Sequence, residues 1–249
     1  GYLGYRDHPY DALLDQYEPY MTAAEVKRIF GELERELVPL VQRIGEAQQV
    51  DASFVHEHYP ADHQEAFSHA ILKGLNYPTG RGRQDRSAHP FTTTLGSNDV
   101  RITTRFDESF LPSAIFSTIH EFGHAMYELG VDAGLHGTLL AEGTSLGIHE
   151  SQSRMWENII GRSRAFWNCW LPHLKEQFPQ QLGAVSGDAF YRAINRVEPS
   201  LIRVEADEVT YSLHVIIRFR LELQLIEGSL LVSDLPTAWN DLYRDLLGI

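Results

Sequence analysis

The sequence predicts a mainly α-helical protein with one small antiparallel β-hairpin. Apolar residues recur at helical spacing through most of the 249 residues. The one stretch of strand-like alternation, 91–106, follows a passage rich in Gly and Pro. Soon after it comes a helical segment containing His120-Glu121-Phe122-Gly123-His124.

The elements follow in order. Thr22-Ala23-Ala24-Glu25 reads as a capping box opening a helix to about Gln48, bent at Pro39. A second helix is expected from Ala61 to Leu75, then a loop from Asn76 to Pro90. Phe91–Leu95 and Val100–Phe106 read as two strands joined by Gly96-Ser97-Asn98-Asp99, with Val100–Phe106 as the exposed edge. Helical periodicity resumes over Pro112–Leu129, Leu140–Ile160, Arg164–Phe178, Asp188–Val197, Val204–Glu227 and Pro236–Leu246. No repeat or linker interrupts the chain, so a single domain over 1–249 is expected.

Composition narrows the function classes. Apolar residues make up 43 % and the net charge is −13, as in an ordinary acidic globular protein. That balance argues against nucleic acid or anionic membranes as partners, because phosphate attraction needs clustered Lys and Arg. The densest basic stretch, Arg81–Arg86, is interrupted by Gly82 and Asp85. A single cysteine, Cys169, excludes an internal disulfide. The N-terminal stretch lacks the basic and apolar regions of a leader, and no apolar run reaches the roughly 18 residues of a bilayer span. The expectation is a soluble, cytoplasmic protein.

His120-Glu121-Phe122-Gly123-His124 matches H-E-x-x-H. Residues four apart share a helical face, so both imidazoles can reach one ion. Glu121 projects about 100° away from His120 and suits contact with a water on that ion. A catalytic zinc takes three protein ligands and keeps one position open, and two histidines with a glutamate form one established set. Glu150, in Gly147-Ile148-His149-Glu150-Ser151-Gln152-Ser153-Arg154, is the candidate third ligand. Its ordinary alternative is a surface ion pair with Arg154 one turn on. His149 reads as a core residue or a group behind the ligands.

These segments resemble the M32 metallocarboxypeptidases, the Taq-type thermostable carboxypeptidases. The likeness rests on Thr118–Glu128 with Gly143–Arg154, and on Tyr10–Asp15, His89-Pro90-Phe91, Asp99–Thr103, Ile202–Glu208 with Tyr211, and Leu235-Pro236 with Trp239-Asn240. It implies a zincin-like helical metallopeptidase core with a small sheet beside the active-site helix. It implies His120, His124 and Glu150 as ligands of Zn²⁺, with Co²⁺ as a substitute, peptide substrates shortened from the C-terminus, and a homodimer. Family members are about twice this length, so N-terminal helices and a C-terminal segment of the pattern are expected to lie outside these residues.

Other candidates are weaker. The resemblance places His89 near the metal, where an imidazole can stabilise an oxyanion. Arg101, in Asp99–Thr103, is a further substrate-contact candidate. Arg203, Asp207, Tyr211, His214 and Arg218 have the spacing of one helical face. Arg203 is the candidate clamp for a C-terminal carboxylate, which a planar guanidinium suits. Tyr211 is a candidate donor to the scissile carbonyl, and Glu128 a candidate to orient the histidines. His56-Glu57-His58 with His63 reads as ordinary surface. Glu121 is then the general base of amide hydrolysis. Two rival readings are an endopeptidase or dipeptide-releasing enzyme on the same scaffold, and a metal-binding scaffold without turnover.

Overall fold

The computed structural model describes residues 4–249; Gly1–Leu3, the start of the stretch read above for a leader, lie outside the described residues. Ten α-helices and three strands follow in order among them: α1 (Asp11–Leu14), α2 (Ala23–Glu46), α3 (Ala61–Gly74), β1 (Gln84–Arg86), β2 (Thr92–Gly96), β3 (Asp99–Thr104), α4 (Leu111–Leu129), α5 (Leu146–Arg154), α6 (Arg164–Gln177), α7 (Pro179–Leu182), α8 (Gly187–Ile194), α9 (Tyr211–Glu227) and α10 (Leu235–Leu247). The chain divides into two compact units, Gly1–Gln49 with Asn195–Ile249, and Val50–Ile194.

The first unit is built on α2, α9 and α10. Thr22 caps α2 through the backbone N–H of Glu25 at 3.2 Å, as its capping-box pattern predicts. Val41, Leu213, Ile216, Ile217, Leu221, Tyr243 and Leu246 form a buried cluster between the three helices. The expected helix from Val204 begins only at Tyr211. Asp207 stops it from starting earlier: its carboxylate accepts the backbone N–H groups of Val209 and Thr210 at 2.9 and 3.0 Å and the Thr210 hydroxyl at 2.7 Å. Arg203 sits in a single 3₁₀ turn upstream, so the predicted stripe does not lie on one helix.

The second unit is organised around α4. Ile115, Phe116 and Ile119 pack with Phe67 and Ile71 of α3 and Trp167, Leu171 and Leu174 of α6. Its other side, Phe122 and Ala125, packs with Val100 and Ile102 of β3. A helix apolar on two sides is buried, and its polar residues must find partners inside.

The sheet corrects two expectations. Its order is β1-β3-β2, so β3 is the central strand and β2 an edge. β2 pairs antiparallel with β3, whereas β1 pairs parallel with it from within the expected 76–90 loop. β1 is hard to read because Gly82 looks like loop composition. The glycine is there for close approach: a Cβ on it would lie 2.0 Å from the Val100 carbonyl oxygen. Gln84 then donates its amide to Thr104 at 2.7 Å and Thr118 at 3.1 Å, tying β1 and β3 to α4.

The predicted helix over Leu140–Ile160 is also redrawn. A 3₁₀ turn covers Leu139–Ala141; α5 starts at Leu146, capped by Ser145, and runs directly into a π-helical segment, Met155–Gly161.

His214 of α9 is fully buried, with Nδ1 2.9 Å from the Tyr243 hydroxyl and Nε2 without a partner. Burial, with the Arg218 charge, pushes its pKa down to about 4. The unfolded chain therefore takes up this proton first as pH falls, so stability present above about pH 6.5 is lost on the way to pH 4. Going from pH 7 to pH 4.5 should remove roughly 2 kcal/mol that a His214→Gln protein does not lose. Denaturant melts at the two pH values read the difference; equal losses would contradict this assignment.

Candidate metal centre

Helix α4 sets His120 and His124 one turn apart, with ring centroids 4.9 Å apart. The third member comes from α5. Gly123, between the histidines, has no side chain, and a Cβ there would lie 2.6 Å from Ser153 Cα and 2.9 Å from the Gln152 carbonyl oxygen. The backbone of α5 therefore rests directly on α4 and brings Glu150 over the histidines. Glu150 Oε2 lies 3.6 Å from His120 Nε2 and 3.2 Å from His124 Nε2. One ligand atom from each of the three lies within 4.8 Å of the other two.

Glu150 also pairs with Arg154, whose Nε donates to Oε1 at 2.9 Å. The surface ion pair considered as the alternative is thus present, made by the oxygen that faces away from the histidines. Burial works to raise the Glu150 pKa, but His124, His120 and Arg154 outweigh it and hold it at about 2. The carboxylate is ionised at neutral pH.

Each histidine is held from behind. His120 Nδ1 lies 2.9 Å from Glu157 Oε2, and Arg154 and Arg162 donate to the same carboxylate at 3.1 and 3.4 Å. Burial works to lower the His120 pKa, yet the bond to Glu157 and the charges of Glu157, Glu150 and Glu121 keep it above the ordinary histidine value. Glu157 was missed in the sequence. The signal was there: Glu150, Arg154 and Glu157 are four and three residues apart, the spacing of one helical face. His124 is held by His149, Nδ1 to Nδ1 at 2.6 Å, and His149 Nε2 lies 2.6 Å from Glu128 Oε1. Glu128, read as orienting the histidines, meets His149 directly.

Glu121 is 6 % exposed, and its Oε2 accepts the Thr92 hydroxyl at 2.6 Å. Two residues along β2, the Thr94 hydroxyl donates to Glu128 Oε2 at 3.0 Å. Alternate residues share a strand face, so one face of β2 reaches both Glu121 and Glu128 on α4.

The remaining candidates make local contacts of their own. His89 is exposed, with Nδ1 2.7 Å from the carbonyl oxygen of Pro90. Arg101 faces Thr93 across the β3–β2 pair, on the side of the sheet away from α4, and makes two bonds to Asp99 at 2.8 and 2.7 Å. Arg203 and Tyr211 belong to the first unit, where Arg203 Nη1 donates to the Tyr211 hydroxyl at 2.8 Å. His56, Glu57 and His58 are exposed surface residues.

Two imidazole nitrogens and one carboxylate oxygen form a borderline donor set that suits zinc and, equally, cobalt. The surroundings agree: Glu121, Glu128, Glu150 and Glu157 crowd the two histidines, and a divalent cation would offset that negative charge. An H-E-x-x-H helix with a glutamate from the next helix defines a centre of the metallopeptidase class. The family can be given too. The profile of the carboxypeptidase Taq (M32) metallopeptidases matches residues 1–249, and the chain belongs to that family.

Relatives agree with this. Carboxypeptidase 1 of Bacillus subtilis is 47 % identical over 249 residues, covering 100 % of this chain and 50 % of its own length. Thermostable carboxypeptidase 1 of Thermus thermophilus is 50 % identical over 241 residues, covering 96 % and 47 %. The solved M32 carboxypeptidase of Deinococcus radiodurans superposes with a TM-score of 0.95 at 45 % identity, covering 98 % of this chain and 49 % of its own. The chain thus spans about half the length of the curated relatives it matches.

The contact at Gly123 predicts that Gly123→Ala will cost about 1–3 kcal/mol through overpacking and weaken metal binding, because Glu150 moves with α5. Thermal melting and zinc titration of the variant measure the two effects. A variant with unchanged zinc affinity would show that α5 is not held in place by this contact.

Proposed function

We propose that this chain carries the catalytic centre of a metallocarboxypeptidase, in which His120, His124 and Glu150 hold a divalent cation and Glu121 is the general base. The observation that carries the reading is the convergence of those three donors beside a buried, hydrogen-bonded Glu121. We further propose zinc as the resident ion with cobalt as a substitute, a homodimer, and a cytoplasmic setting. Support for the last two comes from the family resemblance and composition; no described helix is long and apolar enough to cross a membrane.

A divalent cation held there would polarise the scissile carbonyl and lower the pKa of a bound water. Glu121 takes a proton from the attacking water on a carboxylate oxygen. The water oxygen adds to the carbonyl carbon, the C–N bond breaks, and Glu121 returns the proton to the leaving nitrogen. The products are a shortened peptide carboxylate and a free amino acid. Thr92 fixes one Glu121 oxygen, which leaves the other to work on the water.

The experiment is release of the C-terminal amino acid from an N-blocked dipeptide with added Zn²⁺ or Co²⁺. Glu121→Gln should lower kcat by about 10²–10⁴ and still bind metal, and Thr92→Val should lower kcat by a smaller factor at unchanged metal affinity. Turnover retained in Glu121→Gln would refute the assignment of the base. Cleavage of peptides with a blocked C-terminus would turn the reading toward an endopeptidase. Metal binding without turnover in the parent would favour a scaffold.

A further inference from the structure

The two ligand histidines are backed in different ways. His120 meets a carboxylate, Glu157, directly. His124 meets a second imidazole, His149, which in turn meets Glu128. A carboxylate against a ligand histidine is common, whereas an interposed imidazole raises the question of where the protons sit.

A cation on His124 Nε2 would answer it. At 2.6 Å, the two Nδ1 atoms of His124 and His149 share one proton. If it belongs to His124, then His149 Nδ1 accepts it, and His149 presents its own proton on Nε2. There it meets Glu128 Oε1 at 2.6 Å, while Glu128 Oε2 accepts from Thr94 at 3.0 Å. Each link of the chain then has a donor and an acceptor, and His124 Nε2 is left for a cation beside Glu150. The opposite arrangement puts the shared proton on His149. Neutral His124 would then carry its own proton on Nε2 and could not hold a cation through that atom. Cation binding at His124 Nε2 therefore goes with the first arrangement, in which Glu128 accepts from His149.

The imidazole is also held in place by its neighbours. The Tyr127 ring stands edge-on to His149 at 4.8 Å between centroids. A Cβ on Gly143 would lie 3.1 Å from His149 Cδ2, so the loop before α5 lies close against the ring. Glu128 is one turn beyond His124 on α4, and Thr94 reaches it from β2. The chain Thr94–Glu128–His149–His124 therefore joins strand, helix and second helix behind one ligand nitrogen.

We propose that His149 is a positioning residue of the metal centre: held by Glu128 and Thr94, its Nδ1 accepts the His124 Nδ1 proton and keeps His124 Nε2 free for a divalent cation. This rests on the metal-centre reading given above. Neither His149 nor Glu128 touches the ion; each acts through His124.

Zinc affinity of the full chain, measured against a competing chromophoric chelator, tests it, with the visible spectrum of Co²⁺-loaded protein as a second readout. His149→Phe, which fills the space but cannot accept, should bind Zn²⁺ about 10–100-fold more weakly. His149→Asn, whose amide oxygen can sit near the former Nδ1, should bind several-fold more tightly than His149→Phe and recover the parent Co²⁺ spectrum. Glu128→Ala should weaken binding, whereas Glu128→Gln, which still accepts from His149 Nε2, should stay near the parent. Thermal melts of the metal-free proteins separate folding from binding, and the Glu128 pair decides the matter if His149→Phe does not fold. A parent that binds one Zn²⁺ while His149→Phe binds within about threefold of it, or no tighter binding in His149→Asn than in His149→Phe, would overturn this inference alone. A parent that binds no Zn²⁺ would overturn the metal centre and this inference with it.

Discussion

The absence of a side chain at Gly123 allows the backbone of α5 to rest where a Cβ would otherwise be. Much of the centre depends on that contact. It brings Glu150 to the histidine nitrogens, His149 to His124, and, through the π-helical continuation of α5, Glu157 to His120. Three residues of one continuous helical segment reach two residues of α4 only because the backbones are this close. The middle of H-E-F-G-H is thus as consequential as its ends.

Such a concentration of charge is costly without partners. Buried carboxylates and imidazoles lose hydration that only hydrogen bonds, opposite charges or a cation can replace. Arg154 and Arg162 supply part of the replacement on the Glu157 side. On the other side the partners are neutral hydroxyls and an imidazole, from Thr92, Thr94 and His149. The small sheet therefore acts as a strut: Val100 and Ile102 of β3 pack on α4 while the threonines of β2 hold its two carboxylates in position. Glu121 and Glu128 are two turns apart on the helix, and the two threonines reach them from one strand.

Much of this was legible in the sequence, and the exceptions have physical reasons. The α2 cap and the α4 helix follow from local patterns, since capping and helical periodicity act within a few residues. The H-E-x-x-H helix announces its ligands because spacing alone puts them on one face. Glu150 could be nominated from the donor set a catalytic zinc takes. The family resemblance was needed to set it above the ordinary alternative, because a glutamate with an arginine one turn on looks like surface until its partner helix is known. β1 was hidden by the glycine its pairing requires, and β3 was taken for an edge because β1 was. The start of α9 was misplaced because Asp207 offers the backbone a better partner than another helical turn. Glu157 escaped notice, and His149 was read as either a core residue or a group behind the ligands, because their roles exist only once α4 and α5 are packed.

The most direct test of the central claim is a crystal structure of the zinc-loaded protein with anomalous difference data collected across the zinc edge. The account predicts one strong peak within coordinating distance of His120 Nε2, His124 Nε2 and the Glu150 carboxylate, with Glu121 outside that distance. A peak held by Glu121 in place of Glu150, or zinc found only at other carboxylates, would contradict it.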